Sequence, residues 1–288
     1  MLHQIIKLIR VKQWIKNAFV LAPLLFSLKF LDVIADIQAM KTFFAFSFTA
    51  SIIYVLNDIL DRKRDASHPV KKNRPIASGK IPVKLGIIII FFLSLLDIIC
   101  LLHLAAKAAL SILIYVVLNL LYSFKLKHIV LVDVFAIALG FVLRVYAGAY
   151  AIDVPVSSYI FMTTLFIALF LGFTKRRQEL IHAGDSARNI LKDYSVDMLN
   201  KYIIMFATLT IMSYALWTLE ESTTNKFGTN RLIYSIIFVI YGLLRYVHLL
   251  DKNQDAEDPT ETLLKDKGLL CVCVLYVLYI FAIFINLI

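Results

Sequence analysis

Charged residues are scarce in this sequence. Asp, Glu, Lys and Arg make up only 17% of its 288 residues, whereas hydrophobic residues make up 60%. Soluble domains are about 25% charged and about 45–50% apolar. A soluble globule of this length has no core large enough to bury so much apolar surface, so the composition excludes a cytosolic enzyme, and it equally excludes disorder. The sequence therefore predicts an all-α polytopic membrane protein.

The cysteine and histidine patterns that mark common sites are also missing. The three cysteines, Cys100, Cys271 and Cys273, all lie within apolar runs, which excludes a disulfide framework. None of the six histidines has another histidine four residues away, so a helical zinc site is not expected. The sequence also lacks a GxSxG element, a Walker A loop, a GxGxxG loop and the phosphoribosyl-diphosphate loop of soluble enzymes.

Nine apolar stretches are each long enough to cross a bilayer as a helix. They lie near 17–34, 40–60, 85–104, 108–124, 130–149, 155–174, 202–219, 232–250 and 269–287. Residues 1–16 precede them and alternate apolar with basic side chains, which predicts an amphipathic helix in the membrane interface. We expect one transmembrane domain over residues 1–288, a helical bundle of about nine spans.

The distribution of basic residues predicts how the chain is oriented. Of the 30 Lys and Arg residues, 24 fall on one side of the predicted spans and only five on the other. The positive-inside rule then places the N-terminus in the cytoplasm and the C-terminus outside, in the plasma (inner) membrane. This rule also accounts for the net charge of +10, so no nucleic-acid partner is expected. The long cytoplasmic loops would be 57–84, 175–201 and 251–268.

Carboxylates cluster where the second predicted span ends. Asp58, Asp61 and Asp65 follow Asn57 at spacings that place the three acids within about 60° of one helical face. Like charges on one face repel unless a cation lies between them. Oxygen ligands at a membrane surface suit Mg²⁺, so Asn57 and the three acids are the predicted metal ligands. A solvated helix end, with the acids paired to neighbouring arginines, remains the alternative.

A basic loop directly follows these acids. It runs from His68 to Lys80, and Lys71 and Arg74 are its candidate phosphate ligands. A metal bridging phosphate oxygens, with Lys and Arg neutralising the remaining charge, is what a polyphosphate requires. Ordinary positive-inside loop chemistry is the alternative.

These two motifs together carry a family resemblance. The pattern NDxxDxxxD followed by HPxKxxRPIASG resembles the UbiA superfamily of intramembrane prenyltransferases, and within it the polyprenyl-phosphate phosphoribosyltransferases. Further matching stretches are 10–17, 122–128, 133–134, 140–144, Gly148, 172–180 and Tyr194. The resemblance covers roughly residues 5–200 and implies nine helices with an active site on the cytoplasmic side.

The loop after the sixth predicted span distinguishes branches of that superfamily. Aromatic prenyltransferases carry a second aspartate-rich motif there, whereas this chain has Lys175-Arg176-Arg177-Gln178-Glu179. A cationic motif suits a lipid phosphate or sugar phosphate better than a second metal site. The stretch therefore favours the phosphoribosyltransferase branch.

The resemblance implies a reaction and roles for residues. It implies transfer of 5-phosphoribosyl from phosphoribosyl diphosphate to a polyprenyl phosphate in the lipid bilayer, with Mg²⁺ as the cofactor and release of diphosphate. Asp58 and Asp61 would hold the metal with support from Asn57 and Asp65. The lipid phosphate is already ionised, so no general base is required. The candidate phosphate-binding residues are Lys16, Lys71, Arg74, Tyr122, Lys127, Arg144, Lys175, Arg177, Glu179, Arg188 and Tyr194.

Several alternatives stay open at this point. An aromatic prenyltransferase of the same superfamily would use the same acids on a polyprenyl diphosphate donor. A non-enzymatic transporter or lipid-binding protein would place its carboxylates at the bilayer midplane, not at one rim. For single residues, Lys127 is also explained by snorkelling, Arg144 by a structural ion pair, and 188–194 by an exposed loop. The sequence leaves open whether the protein is a homo-oligomer.

Overall fold

The computed structural model describes residues 1–67, 71–183, 189–252, 262 and 264–285. Throughout these residues the secondary structure is helical, with no β-strand, in agreement with the predicted all-α class. The α-helices are α1 Leu2–Leu8, α2 Ala22–Phe26, α3 Val33–Leu60, α4 Arg62–Ala66, α5 Val83–Leu101, α6 Ala106–Phe124, α7 Val132–Ala151, α8 Ser158–Ala183, α9 Val196–Leu219, α10 Glu221–Phe227, α11 Ile236–Lys252 and α12 Lys267–Phe284. Short 3₁₀ helices cover Val11–Val20, Lys71–Asn73, Leu126–His128, Asn189–Asp193 and Arg231–Ser235.

Eight helical segments of the described chain are long and apolar enough to cross a membrane. They correspond to the second through ninth predicted spans. Their lipid-facing character is clear on α5, where Phe91 is 65% exposed and Phe92 is 58% exposed although both are large and apolar. In water such a helix would have to be covered, whereas in a bilayer it is solvated by lipid. The chain is an integral membrane protein.

The first predicted span, 17–34, is not a continuous helix, and residues 1–16 form two helical pieces and not one. That residues 1–16 lie in the membrane interface stays a prediction. Helix α1 stops at Leu8, Arg10 takes a left-handed backbone conformation with φ 55° and ψ 48°, and a 3₁₀ helix then runs to Val20. Helix α2 covers only five residues. The break is stabilised by tertiary contacts, because Leu8 is fully buried and Arg10 forms an ion pair with Asp58.

This broken segment nevertheless runs antiparallel along α3. Trp14 Nε1 donates to Ser51 Oγ at 3.1 Å, and Asn17 Nδ2 donates to Ser47 Oγ at 2.9 Å. Further along, Leu21 and Leu24 pack against Ala35 and Ala39 near the start of α3. Side-chain hydrogen bonds and close packing therefore replace the regular α-helical pattern that hydropathy predicted for residues 17–34.

Helix α8 is longer than predicted. The sixth span was expected to end at 174 and to give way to a loop, but the helix continues through Ala183. Residues 175–179 are therefore helical, which spaces their side chains 100° apart around the axis. This spacing sends Arg176, Arg177 and Gln178 to different partners, as described below.

The helices form two compact units. The first comprises residues 1–124 and 143–155, and α3 packs along α5 within it. The second comprises residues 125–142 and 156–288, and α8 packs along α9 within it. Helix α7 contributes its first half to the second unit and its second half to the first. The expectation of a single domain over 1–288 stays a prediction.

Candidate active site

The first cluster of charged residues lies at the end of α3, in the first unit. Arg10 Nη2 donates to Asp58 Oδ1 at 2.7 Å, and Arg74 Nη1 donates to the same oxygen at 3.1 Å. Arg74 Nη1 also donates to Asp65 Oδ2 at 2.6 Å. One guanidinium nitrogen therefore bridges two carboxylates, and the oxygens of Asp58 and Asp65 converge on a single point of positive charge.

Local structure brings Asp58 and Asp65 together. Helix α3 ends at Leu60, and α4 begins two residues later, so the two acids are seven residues apart on nearly continuous helix and share a face. Asp58 is only 2% exposed and Asp65 only 1% exposed, whereas the side chains of Arg10 and Arg74 are each 28% exposed. The arginines thus cover the carboxylates on the accessible side.

Apolar packing holds the two arginines in place. Leu8, Val55, Ile76 and Ile81 form one buried cluster that joins α1, α3 and the turn after Arg74. At the edge of this cluster Lys7 Nζ donates to the carbonyl of Asn73 at 3.4 Å. Burial of these four side chains stabilises the arrangement by about 25 cal/mol per Å² of apolar surface removed from water.

Asp61 and Asn57 are the other two predicted metal ligands, and they are not among the side chains that Arg74 links. The Asp61 side chain is 33% exposed and forms an ion pair with Arg64 at 3.2 Å, and Asn57 is half-buried. Among the residues that the structure describes, no three His, Cys, Asp or Glu side chains are grouped as a metal site would require. The predicted common face is therefore realised for Asp58 and Asp65, while Asp61 points to a local arginine.

A second cluster of charged residues lies in the second unit. Arg176 Nε donates to Asp133 Oδ2 at 2.6 Å, and Arg176 Nη1 donates to Glu179. The Tyr194 hydroxyl donates to Asp133 Oδ1 at 3.3 Å and accepts from the backbone N–H of Leu131 at 2.7 Å. Burial raises the pKa of Tyr194 from its ordinary value of 10 to about 12, so this hydroxyl stays protonated and able to donate.

Close helix packing positions this second cluster. Asp133 lies in the first turn of α7, and Arg176 lies on α8. A Cβ added to Gly172 on α8 would lie only 2.5 Å from Val134 Cγ1, so the two helices approach closely because residue 172 is glycine. Arg176 was not predicted as a site residue. In the structure its side chain is 2% exposed and forms ion pairs with Asp133 and Glu179.

Arg177, a predicted phosphate ligand, has protein partners in the same unit. Its Nε donates to Asn200 Oδ1 at 2.7 Å, and its Nη2 forms an ion pair with Asp251 at 2.8 Å. The neighbouring Gln178 donates to the carbonyl of Leu250 at 2.9 Å. These contacts tie α8 to α9 and α11.

Arg144, another predicted phosphate ligand, is buried within the first unit. Its Nε donates to Asn17 Oδ1 at 2.8 Å, and its Nη2 donates to the Tyr115 hydroxyl at 3.1 Å. Its guanidinium carbon lies 4.9 Å from the ring centre of Phe46 and 4.7 Å from that of Tyr115. These contacts include two cation–π contacts and two neutral acceptors, and they join α7 to the 3₁₀ helix and α6.

The remaining predicted residues lie elsewhere on the two units. The half-buried ones are Lys16, Lys71, Tyr122, Lys127 and Lys175. Arg188 and His68 lie outside the described residues. Sequence reasoning missed Arg10, which contacts Asp58. The sequence feature that could have identified Arg10 is its position in the stretch 10–17, which matches the family pattern.

The comparisons with known proteins agree with these motifs. The model of the "UbiA prenyltransferase family" matches residues 20–265. The decaprenyl-phosphate phosphoribosyltransferase of Mycolicibacterium smegmatis is 31% identical, over 92% of this chain and 87% of the relative. The enzyme of that name from Corynebacterium glutamicum is 32% identical, over 97% of this chain and 88% of the relative.

A solved structure has the same fold. The UbiA homolog of Archaeoglobus fulgidus, bound to GPP and Mg²⁺, has a TM-score of 0.70 at 17% identity and covers 98% of this chain and 99% of its own. The fold, the aspartate motif at the end of α3 and the match of the family model over most of the sequence lead to one assignment. The chain belongs to the UbiA prenyltransferase family.

Proposed function

We propose that this protein transfers 5-phosphoribosyl from phosphoribosyl diphosphate to a polyprenyl phosphate, with Mg²⁺ as cofactor, and releases diphosphate. The observation that carries the proposal is the similarity to phosphoribosyltransferases over nearly the whole of both chains, at 31% and 32% identity. The matches cover 92% and 97% of this chain.

The residues at the end of α3 fit a magnesium ion. Asp58, Asp61 and Asp65 with Asn57 supply only oxygen ligands, which Mg²⁺ prefers. Asp58 and Asp65 already converge on one cationic nitrogen of Arg74, so their geometry favours a shared cation. We propose that Asp58 and Asp65 hold the ion with Asp61 and Asn57. When bound, Mg²⁺ would neutralise charge on the leaving diphosphate.

The protein's own residues would bind and orient the substrates. An ionised oxygen of the lipid phosphate attacks C1 of the ribose, the bond from C1 to the diphosphate oxygen breaks, and the electron pair leaves with the diphosphate. Because the nucleophile is already an anion, the chain needs cations and no strong base. We propose Arg74, Lys71 and Lys16 as ligands of the donor phosphates, and Lys127, Lys175 and Tyr122 as further phosphate ligands.

The main alternative is an aromatic prenyltransferase that uses a polyprenyl diphosphate donor. Such an enzyme would need a second acidic motif on α8. In this chain Arg176 binds both Asp133 and Glu179, which commits these carboxylates to a guanidinium group. This contact favours the phosphoribosyltransferase reaction.

We also propose the orientation that the basic residues predict. The end of α3 that carries Asp58 would face the cytoplasm, where a water-soluble donor is available. The N-terminus would lie on the same side, in agreement with the contact of Arg10 with Asp58. The protein would lie in the plasma (inner) membrane with the C-terminus outside.

An incubation experiment tests the proposal. Purified protein is mixed with radiolabelled phosphoribosyl diphosphate and polyprenyl phosphate, and the lipid products are analysed. We expect a labelled lipid that forms only when Mg²⁺ is present and disappears after chelation. Absence of that lipid, together with a product from a polyprenyl diphosphate and an aromatic acid, would establish the alternative instead.

A further inference from the structure

Two arginines, Arg10 and Arg74, lie against carboxylates that we propose as metal ligands. Arg10 and Arg74 both contact Oδ1 of Asp58, and Arg74 also contacts Asp65. The two acids are 2% and 1% exposed, so solvent meets guanidinium groups before it meets carboxylates. A divalent ion entering alone would be placed against two existing positive charges, and like charges at this distance repel.

The backbone conformation of Arg10 and a neighbouring aromatic ring both position its guanidinium group beside Asp58. Residue 10 has φ 55°, a left-handed conformation that residues with a side chain rarely adopt. Such strained conformations persist where surrounding contacts enforce them, and they concentrate at functional positions. The guanidinium carbon lies 4.6 Å from the ring centre of Tyr54, one turn before Asp58 on α3. The stacking ring keeps the charge beside the carboxylate.

We propose that Arg10 and Arg74 exchange partners when ligand binds. Without ligand they neutralise Asp58 and Asp65; when a divalent ion arrives as its diphosphate complex, the ion takes the carboxylates and the two arginines bind the diphosphate oxygens. The inference rests on the proposed function in that it names the same diphosphate site. Its consequence is that the site takes up metal and diphosphate together and excludes the free metal.

The charges support this exchange. A diphosphate supplies several anionic oxygens, and guanidinium groups bind such oxygens with paired, charge-assisted hydrogen bonds. Both arginine side chains are 28% exposed, so they are accessible to an incoming anion without unfolding of the helices. A permanent structural role for Arg10 would instead keep it on Asp58 whether or not ligand is bound.

The affinity for Mn²⁺ alone and the affinity for the Mn²⁺–pyrophosphate complex test the proposal, because substitution of an arginine should raise the first and lower the second. The full chain in lipid nanodiscs is titrated with Mn²⁺ alone, followed by electron paramagnetic resonance, and then with the Mn²⁺–pyrophosphate complex. In Arg10→Gln we expect tighter binding of Mn²⁺ alone by about tenfold and weaker binding of the complex by about tenfold, because one charge-assisted contact is removed from each state. Arg74→Gln should show the same signs with a larger gain for Mn²⁺ alone, since Arg74 contacts both carboxylates.

Lys12→Gln is the matched control. It removes one positive charge two residues from Arg10, and the Lys12 side chain is exposed. We expect it to change neither constant. Weaker or unchanged Mn²⁺ binding in both arginine variants, or unchanged binding of the complex, would overturn the exchange. Should one variant fail to fold in a thermal unfolding test, the other decides the result.

The probes separate this inference from the proposed reaction. Pyrophosphate carries no ribosyl group, and no lipid phosphate is present, so the binding signs do not depend on which group is transferred. The protein could make no phosphoribosyl lipid while its arginine variants bind Mn²⁺ alone more tightly and the Mn²⁺–pyrophosphate complex more weakly. That result would support the exchange and reject the reaction. The protein could instead make this lipid while both arginine variants bind Mn²⁺ no better than the unaltered chain. That result would support the reaction and reject the exchange.

Discussion

Arg176 and Asp133 form an ion pair, with 2.6 Å between Nε and Oδ2, in which the arginine is only 2% exposed and the aspartate is fully buried. Removing one partner of a buried pair leaves an uncompensated charge, which costs far more than an exposed pair contributes. Loss of either partner is therefore expected to destabilise the packing of α7 on α8 more than loss of a surface charge does.

We expect Arg176→Met to lower the free energy of unfolding by about 3–5 kcal/mol, because Asp133 would stay buried without its cation. Unfolding of the purified protein in mixed detergent micelles measures the change. Lys201→Met is the control, since Lys201 and Asp197 form a pair of exposed side chains and should change stability little. Equal effects of the two variants would contradict a special role for the buried pair.

Tyr194 should make stability depend on alkaline pH. Its pKa is raised from 10 to about 12 by burial, so the folded state favours the neutral phenol. The resulting stabilisation is present below pH 10 and is lost as the pH rises from 10 to about 12. Tyr194→Phe cannot ionise, and we expect a shallower loss of stability over this window in alkaline unfolding curves. A variant curve that parallels the unaltered protein would show that Tyr194 does not contribute.

A substitution at Asp61 can distinguish the proposed metal binding from folding at the aspartate motif. The Asp61 side chain is 33% exposed and forms an ion pair with Arg64. We expect Asp61→Asn to lower kcat/KM by about 100-fold or more, because one of the proposed metal ligands is lost, and to leave the unfolding midpoint unchanged. Arg64→Gln breaks the same ion pair from the other side and should keep activity. Equal activity loss in both would mean that the pair itself, and not the carboxylate, is required.

Gly148 allows close contact between α7 and the broken first segment. A Cβ at this position would lie 1.9 Å from the carbonyl oxygen of Val20. We expect Gly148→Ala to destabilise the protein by at least about 1–3 kcal/mol through this overlap. At Gly242 the nearest atom is Val272 Cγ1, at an ordinary 3.8 Å, so Gly242→Ala should be tolerated. Thermal unfolding of the two variants compares them directly, and similar midpoints would contradict the assigned overlap.

Hydropathy predicted eight of the membrane helices, because a span in lipid must be both long and apolar, and each property is local in sequence. The first segment was not predicted correctly for the same reason. Its apolar composition indicates a crossing, but its 3₁₀ geometry depends on Ser47, Ser51 and Asp58, which lie 30 to 48 residues away. Contacts of this kind leave no periodic signal in the segment itself.

The candidate site divides in a similar way. Spacing along one helix was enough to place Asp58 and Asp65 on a common face, and the basic loop that follows them gave Arg74 as a nearby cation. The family resemblance gave Arg177 as a candidate phosphate ligand, whereas the structure gives this residue Asn200 and Asp251 as partners. The roles of adjacent arginines on α8 differ because a helix turns 100° per residue, and only the packed neighbours decide what each one meets.

By itself, the sequence determined that this protein is an α-helical membrane protein of the UbiA type with an oxygen-rich acidic motif beside basic residues. These properties follow from composition, hydropathy and short motifs, which are local. The tertiary structure alone decided that Arg10 and Arg74 cover the buried acids and that Arg176 is committed to Asp133 and Glu179. Partners of a charge buried away from water are set by helix packing, because each must find its counter-charge among side chains distant in sequence.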